Sequence, residues 1–412
     1  MASPAPWQLE VRADSQTLDA SEGRRSLSGF LISGILMSFL GAILPAWGYH
    51  LKADFKEVGD YFLCLNLGFL LSVGFAHLLL PRKGVKFTLV LANALACGAF
   101  LYLAAGTAQT PAVWRFFGLL WIGVSAGLLN GGIFHAISPL YQHDRAATMN
   151  LAGVMFGLGC VLTAVLMAGT YYVYTVPSIL VLFAVLPGFY AGIYAKAKLH
   201  AGLVVVHQMP LAQVLRDFRN PGAVLFSLVL FFQFGNEWSI AGWLPLFLTR
   251  RLGISPEDSL LMLAVFWLAL LVGRIASQVV LKRMSHGMLL IGSIVSALLG
   301  NLVLASTNNR FGAVMGILFV GAGYASIYPL VVEKIGHRFP YYHPGFYNGI
   351  FSFAITGGLL APWTLGYFTA AWGIQAVMII PLFGTCMVFL LVLLIMLEAK
   401  LSGLAEIKEA GS

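Results

Sequence analysis

Residues 222–248 read GAVLFSLVLFFQFGNEWSIAGWLPLFL, and Glu237 is the one charged side chain among them. Because a helix rises about 1.5 Å per residue, about 20 such residues cross the roughly 30 Å hydrocarbon core of a bilayer. Eleven further stretches of this kind fill most of the chain between Ser26 and Leu397. The apolar runs are continuous and do not alternate with polar residues, which predicts membrane-spanning helices rather than a closed barrel.

Overall composition agrees with this interpretation. Hydrophobic residues make up 59% of the chain and charged residues 10%, whereas about a quarter of the residues of a soluble domain are charged. We therefore predict an all-α integral membrane protein with twelve transmembrane helices. The predicted spans are 26–50, 58–80, 86–106, 112–140, 147–170, 175–198, 222–248, 258–281, 287–306, 310–333, 344–368 and 374–397.

The basic residues are distributed unevenly between the two sides of these spans. With both termini in the cytoplasm, the cytoplasmic segments hold 17 of the 24 lysines and arginines, the other side holds six, and Arg274 lies inside a span. This positive-inside bias predicts that both termini are cytoplasmic and that the protein lies in the plasma membrane, the inner membrane of a bacterium. The topology and anionic lipid account for the net charge of +8, so we expect membrane lipid and no nucleic acid as a partner.

The longest polar connection divides the chain into two halves. It contains Pro210 followed by apolar residues at helical spacing, which predicts a short amphipathic helix on the cytoplasmic surface. The predicted order is a cytosolic tail at 1–25, a six-helix bundle at 26–198, a linker at 199–221, a second six-helix bundle at 222–397 and a cytosolic tail at 398–412.

The two halves share a spaced pattern of residues. Asn150 precedes Gly159 by nine residues in the first half, and Asn348 precedes Gly357 by nine residues in the second. Such pairs indicate a parallel duplication of a six-helix unit, with a binding site near the membrane midplane between the units. Glycines in these spans allow close approach of helices, so we also expect Gly357 at a helix crossing.

Twelve spans in two sets of six, with a basic turn after spans 2 and 8, resemble the major facilitator superfamily. The turn after span 2 keeps Arg82, Gly84 and Lys86 of the superfamily's loop motif, but Pro81 replaces its aspartate. The resemblance implies two pseudo-symmetric six-helix bundles that work by alternating access. It also implies that spans 1, 4, 7 and 10 line the substrate cavity.

Span 7 also resembles the fucose–proton symporter-like branch of that superfamily. The similarity rests on the run from Gly235 to Pro245, on Gly127-Leu128-Leu129-Asn130-Gly131 in span 4 and on Gly357-Gly358 in span 11. Sugar symporters of that branch carry acidic residues in spans 1 and 4, whereas this chain has none there. The resemblance implies a sugar-like substrate.

Glu237 is the sharpest candidate for a coupling residue, because it is the one carboxylate placed deep in a predicted span. Charged groups are costly in the bilayer, and a carboxyl group in apolar surroundings takes up a proton more readily than in water. His135 in span 4 is the second proton-coupling candidate, since imidazole changes charge near neutral pH. The alternative for both is a structural hydrogen bond between helices.

The remaining candidates are polar or aromatic residues that we predict to contact substrate. The aromatic ones could instead anchor the chain at the membrane interface, and Arg274 could instead pair across the interface between the halves. These candidates are Asn130, Gln233, Asn236, Trp121, Trp238, Asn150, Asn348, Trp363 and Arg274.

Together these features predict a secondary active transporter of a small organic solute, proton-coupled and acting as a monomer. No nucleotide-binding, metal-binding or nucleophile motif occurs in the sequence, so we expect no cofactor, no metal and no enzymatic activity. A uniporter or exporter of an amphipathic compound, and a non-transporting membrane sensor with the same fold, remain as alternatives.

The predicted topology can be tested by cysteine accessibility. Cysteines introduced singly at Ser3, Gly202 and Ser412 should react with a membrane-impermeant reagent after permeabilisation, because all three lie on the positively charged side. Labelling of any of them from outside intact cells would contradict the topology.

Overall fold

The computed structural model describes residues 20–48, 54–137, 145–197, 220–339 and 344–410. Within these ranges the ordered elements are all helices, and twelve of them are long and apolar enough to cross a membrane. They are α1 (Ala20–Ile43), α2 and α3 (together Phe55–Ala104), α4 (Ala112–Ala136), α5 (Arg145–Thr170), α6 (Val176–Lys196), α7 (Pro221–Leu252), α8 (Pro256–Val280), α9 (His286–Ser306), α10 (Arg310–Arg338), α11 (Pro344–Trp372) and α12 (Ala376–Ala410).

Gly84 separates α2 from α3 within the long helical run. Its backbone has φ 80° and ψ 169°, a conformation that glycine adopts without the steric cost of a Cβ atom. Gly84 is one of the loop-motif positions that the chain keeps. The preserved glycine therefore has a clear physical role in the sharp turn between these two spans.

Helix α7 begins and ends at residues suited to those positions. The side chain of Asn220 accepts a hydrogen bond from the backbone N–H of Gly222 at 2.9 Å, and Pro221 occupies the first helical position. The helix ends at Gly253, which adopts a left-handed conformation with φ 66°. These caps satisfy backbone groups that have no partner within the helix.

The helices pack as two similar halves, which confirms the predicted fold class. In the first half, α1 packs against α5, and the α2–α3 run packs against α4 and α6. In the second half α7 packs against α11, α8 and α9 pack against α10, and α9 packs against α12. The halves meet where α5 contacts α8, α2 contacts α11 and α1 contacts α7.

The side of the bundle on which α1 begins and α12 ends is called the terminal side, and the other side is called the opposite side.

The structure differs from the predicted spans mainly at helix ends. Helix α1 ends at Ile43, short of the predicted residue 50, because Pro45 disfavours helical backbone in the residue before it. Helices α1 and α12 extend into the stretches predicted as tails. The amphipathic helix predicted within 199–221 lies outside the described residues.

Gly357 lies at the crossing of α7 and α11, as the sequence predicts. A Cβ atom at Gly357 would overlap the carbonyl oxygen of Phe231, and one at Gly358 would lie 2.9 Å from Cδ1 of Trp238. Larger residues at either position would push the two helices apart.

Replacing Gly357 with leucine should therefore destabilise the protein by about 1–3 kcal/mol, the usual cost of overpacking. Gly98 provides the matched control, because no heavy atom lies within 4 Å of a Cβ built there. Gly98→Leu should stay within about 0.5 kcal/mol of wild type. Thermal unfolding of both variants in detergent checks this, and equal melting temperatures would contradict the described crossing.

Candidate functional site

A narrow cleft lies between the two halves, near the middle of the bundle. Both halves contribute helices to its walls, but α2 and α11 line it where the resemblance to the superfamily implied spans 4 and 10. Its lining comprises Met37, Ser38 and Gly41 of α1, Phe62, Leu65 and Asn66 of α2, Trp238, Ala241 and Gly242 of α7, and Gly358 and Pro362 of α11. The cleft therefore lies where the two halves meet, which is where transporters built from two repeats place their substrate site.

Trp238 is the large aromatic side chain on the second-half wall. Its half-buried ring contacts Phe156 of α5 edge-on at 6.3 Å between centroids, and Trp267 of α8 at 6.1 Å. Gly358 leaves space for the indole on the α11 side. The ring is thus held by three helices and presents a firm surface to the cleft.

Two polar side chains stand on the first-half wall. Ser38 donates its hydroxyl hydrogen to the carbonyl oxygen of Gly34 at 2.7 Å, and Asn66 donates from Nδ2 to the carbonyl oxygen of Phe62 at 2.9 Å. A hydroxyl oxygen can still accept, and an amide retains a second N–H and its oxygen. The sequence reasoning missed both residues, since serine and asparagine that bond to their own helix look like packing residues.

The cleft lining is electrically neutral. None of its residues is an aspartate, glutamate, lysine, arginine or histidine among those the structure describes. It combines aromatic and aliphatic surface with a few polar groups, the usual make-up of a site for an uncharged organic ligand.

Glu237 lies next to the cleft residue Trp238 in the sequence but faces α8. Its Oε1 is 3.6 Å from Nη2 of Arg274, and the side chains are 10% and 22% exposed, respectively. Arg274 therefore pairs within its own half, which corrects the expectation of a pair across the interface. It still reaches the first half, because a Cβ atom built on Gly153 of α5 would lie 3.6 Å from Nη1.

Gln233 lies one turn before Glu237 on α7 and is fully buried. Its amide lies beside the Glu237 carboxyl group, and within the described part of the chain Nε of Arg274 is buried without a hydrogen-bond partner. Unpaired buried polar atoms are costly, and they are commonly satisfied by internal water. The cluster of Gln233, Glu237 and Arg274 is thus a polar site close to the cleft.

Asn236 does not face the cleft, contrary to the sequence-based expectation. It is buried in the second half, where Nδ2 donates to Oγ1 of Thr385 at 3.3 Å. The hydroxyls of Thr385 and Tyr324 lie 3.0 Å apart, and Asn301 donates to the Tyr324 hydroxyl at 2.9 Å. This network joins α7, α9, α10 and α12, so the structure gives Asn236 a packing role.

Two other candidates also bond within or between helices of the first half. Nδ2 of Asn130 donates to Oγ of Ser33 at 2.8 Å, which ties α4 to α1. Nδ1 of His135 lies 2.8 Å from the carbonyl oxygen of Gly131 in its own helix. Since α4 ends at Ala136, His135 occupies its last turn rather than the deep position expected of a proton carrier.

The tryptophan candidates divide between different locations. Trp121 is 45% exposed, lies beside Tyr102 of α3 and does not line the cleft. Trp363 lies between the cleft and the opposite side, where its Nε1 donates to Oδ1 of Asp60 at 3.1 Å. The half-buried Asn150 lies one turn before Gly153 on α5. The side chain of Asn348 lies outside the described residues.

A partly buried ion pair in the first half also escaped the sequence reasoning. Nη2 of Arg115 lies 3.2 Å from Oε1 of Glu57, and Tyr61 bonds to both residues. Glu57 lies in α2 and Arg115 in α4, and nothing in their separation along the sequence indicates that they pair. Among the described residues, no group of three His, Cys, Asp or Glu could hold a metal ion.

Two six-helix halves around a shared central cleft are the architecture of a membrane transporter. Residues 26–359 match the sequence family described as Major Facilitator Superfamily, and the chain belongs to this family of secondary transporters.

Individual relatives are distant. The chain is 23% identical over 317 residues to an uncharacterised MFS-type transporter of Yersinia pestis, covering 75% of this chain and 79% of that one. It is similar in fold to a crystal structure of a mutant of the nucleoside transporter NupG, with a TM-score of 0.72, 14% identity, and 90% and 98% of the two chains covered. A second NupG structure gives a TM-score of 0.67 at 14% identity, covering 90% of this chain and 97% of that one.

The Glu237–Arg274 pair yields a stability prediction. Removing one partner leaves the other charge poorly compensated, so Arg274→Met and Glu237→Gln should each cost up to about 3 kcal/mol. The double variant should recover most of the loss, because neither charge remains. Thermal unfolding of all four proteins in detergent measures this coupling, and strictly additive effects would show that the two side chains do not interact.

Proposed function

We propose that this protein is a secondary active transporter of an uncharged, ring-shaped polar solute of the sugar or nucleoside class. The solute binds in the central cleft and crosses the membrane as the two halves rock about it. Membrane lipid surrounds the monomer, and both termini lie in the cytoplasm. The observation that carries the proposal is the neutral cleft, lined by both halves, with Trp238 on one wall and Ser38 and Asn66 on the other.

The chemistry of the lining supports this substrate class. A flat indole surface attracts the apolar face of a sugar or the ring of a nucleobase, and nearby hydroxyl and amide groups bond to ring substituents. A charged substrate would lose its hydration without gaining a counter-charge, which is costly. The span 7 resemblance to sugar symporters and the shared fold with a nucleoside transporter fit the same class.

Proton coupling through Glu237 is the second part of the proposal. Its carboxylate faces Arg274, whose guanidinium also reaches α5 of the other half. A proton on Glu237 would weaken its attraction to Arg274 and thereby release Arg274 toward α5. The position of the halves and the protonation of one carboxyl group would then depend on each other.

The substrate site can be tested by comparing two tryptophans. Trp238→Ala removes the wall of the cleft and should weaken binding of the transported sugar or nucleoside at least tenfold, because a large buried contact is lost. Trp121→Ala removes a ring of equal size at an exposed position and should bind as wild type does. Binding measured by scintillation proximity decides between them, and equal losses would argue against the cleft.

Coupling can be tested in proteoliposomes. Glu237→Gln keeps the shape of the side chain but cannot take up a proton, so uptake driven by a pH gradient should be lost while equilibrium exchange of substrate continues. If the variant still accumulates substrate as wild type does, Glu237 is structural. Accumulation by neither protein would indicate a uniporter.

A further inference from the structure

Asp60 of α2 is held by two hydrogen bonds from the other half. Its Oδ1 accepts from Nε1 of Trp363 at 3.1 Å and from the hydroxyl of Tyr367 at 3.1 Å, both on α11. Among the described residues, no lysine, arginine or histidine forms an ion pair with Asp60. The carboxylate therefore obtains its described hydrogen bonds across the boundary between the halves.

The neighbouring carboxylate on the same helix behaves differently. Glu57 lies one turn before Asp60 and pairs with Arg115 of α4 at 3.2 Å, entirely within the first half. Movement of one half against the other leaves the Glu57 pair intact but separates Asp60 from both of its donors. The two acidic residues thus provide a contrast between a contact within one half and a contact between halves.

The backbones of α2 and α11 touch beside Asp60. A Cβ atom built on Gly59 would lie 2.5 Å from the carbonyl oxygen of Trp363, and one on Gly366 would lie 2.6 Å from the carbonyl oxygen of Phe55. Nearer the cleft, the ring of Phe62 stacks on Trp243 at 5.9 Å. The contact between α2 and α11 beside Asp60 is called the opposite-side seam. It is formed by Phe55, Gly59, Asp60, Trp363, Gly366 and Tyr367.

The seam blocks one route out of the cleft. Phe62, Leu65 and Asn66 line the cleft, and Asp60 lies closer than they do to the opposite-side start of α2. On α11, Gly358 and Pro362 line the cleft, while Tyr367 lies nearer its opposite-side end. A solute leaving toward the opposite side would have to part these two helices.

We propose that Asp60 is a gating residue, which latches the opposite-side seam through Trp363 and Tyr367 and so determines how often the cleft opens to that side. Hydrogen bonds to an ionised acceptor are stronger than neutral ones, so two of them on one carboxylate favour the closed seam. The close glycine contacts bring α2 and α11 near enough for the bonds to form. The proposal concerns opening alone and does not depend on the identity of the substrate.

Spin-label distances across the opposite side test this latch. Val113 at the start of α4 and Phe311 at the start of α10 are both exposed and lie on that side in different halves. Labels are attached to cysteines at these two positions after Cys64, Cys97, Cys160 and Cys386 are replaced by alanine. Pulsed electron paramagnetic resonance then gives the populations of the short and long distances between the two labels. Each variant is compared with the labelled protein that keeps Asp60.

Asp60→Ala should lower the ratio of closed to open populations about tenfold or more, since both charge-assisted bonds are lost. The variant Trp363→Phe/Tyr367→Phe should do the same, because it removes both donors and keeps the carboxylate. Glu57→Gln should leave the distance distribution unchanged even where it lowers the melting temperature. The proposal is overturned if Trp363→Phe/Tyr367→Phe keeps the wild-type populations. It is also overturned if Glu57→Gln shifts the populations as far as Trp363→Phe/Tyr367→Phe does.

Discussion

Contact between the two halves along α1–α7, α2–α11 and α5–α8 is the constraint on which the remainder of the structure depends. Neither half alone encloses the cleft, because α1 and α2 supply one wall and α7 and α11 the other. Glycine at Gly59 and Gly366 allows the α2 and α11 backbones to meet. In the proposed transport cycle the same contacts break and re-form, so they join stability to transport.

The charges inside the helical bundle follow from the cost of placing ions in an apolar medium. Glu57 pairs with Arg115 in the first half and Glu237 with Arg274 in the second. Each pair lies beside the interface without entering the described lining of the cleft. The lining of the cleft itself therefore stays neutral.

The sequence predicts the architecture well, because span length and apolar composition depend on the bilayer and not on packing detail. The sequence also predicted Gly357 at a helix crossing and named Trp238, which lines the cleft, as a candidate residue. The direction in which each polar side chain points could not be predicted from the sequence. Asn236 and Glu237 are adjacent, yet one joins a buried network with Thr385 and the other pairs with Arg274, since about 100° of helix rotation separates neighbouring residues.

Contacts between distant spans were equally hidden. Asp60 and Trp363 are 303 positions apart, and no spacing rule joins them. His135 looked deep because the apolar stretch of its span runs on to residue 140, whereas α4 ends at Ala136. Sequence patterns thus locate the helices, but the residues that line a cleft or bridge two halves emerge only from their packing.

The claim that the neutral cleft binds an uncharged ring-shaped solute is tested most directly by ligand-dependent melting of the purified wild-type protein. A ligand that binds the native state raises the melting temperature by mass action. Matched panels of monosaccharides, nucleosides, organic anions and organic cations of similar size would be compared. We predict a concentration-dependent rise with at least one monosaccharide or nucleoside and none with the charged compounds. A rise with organic anions or cations alone would contradict the account.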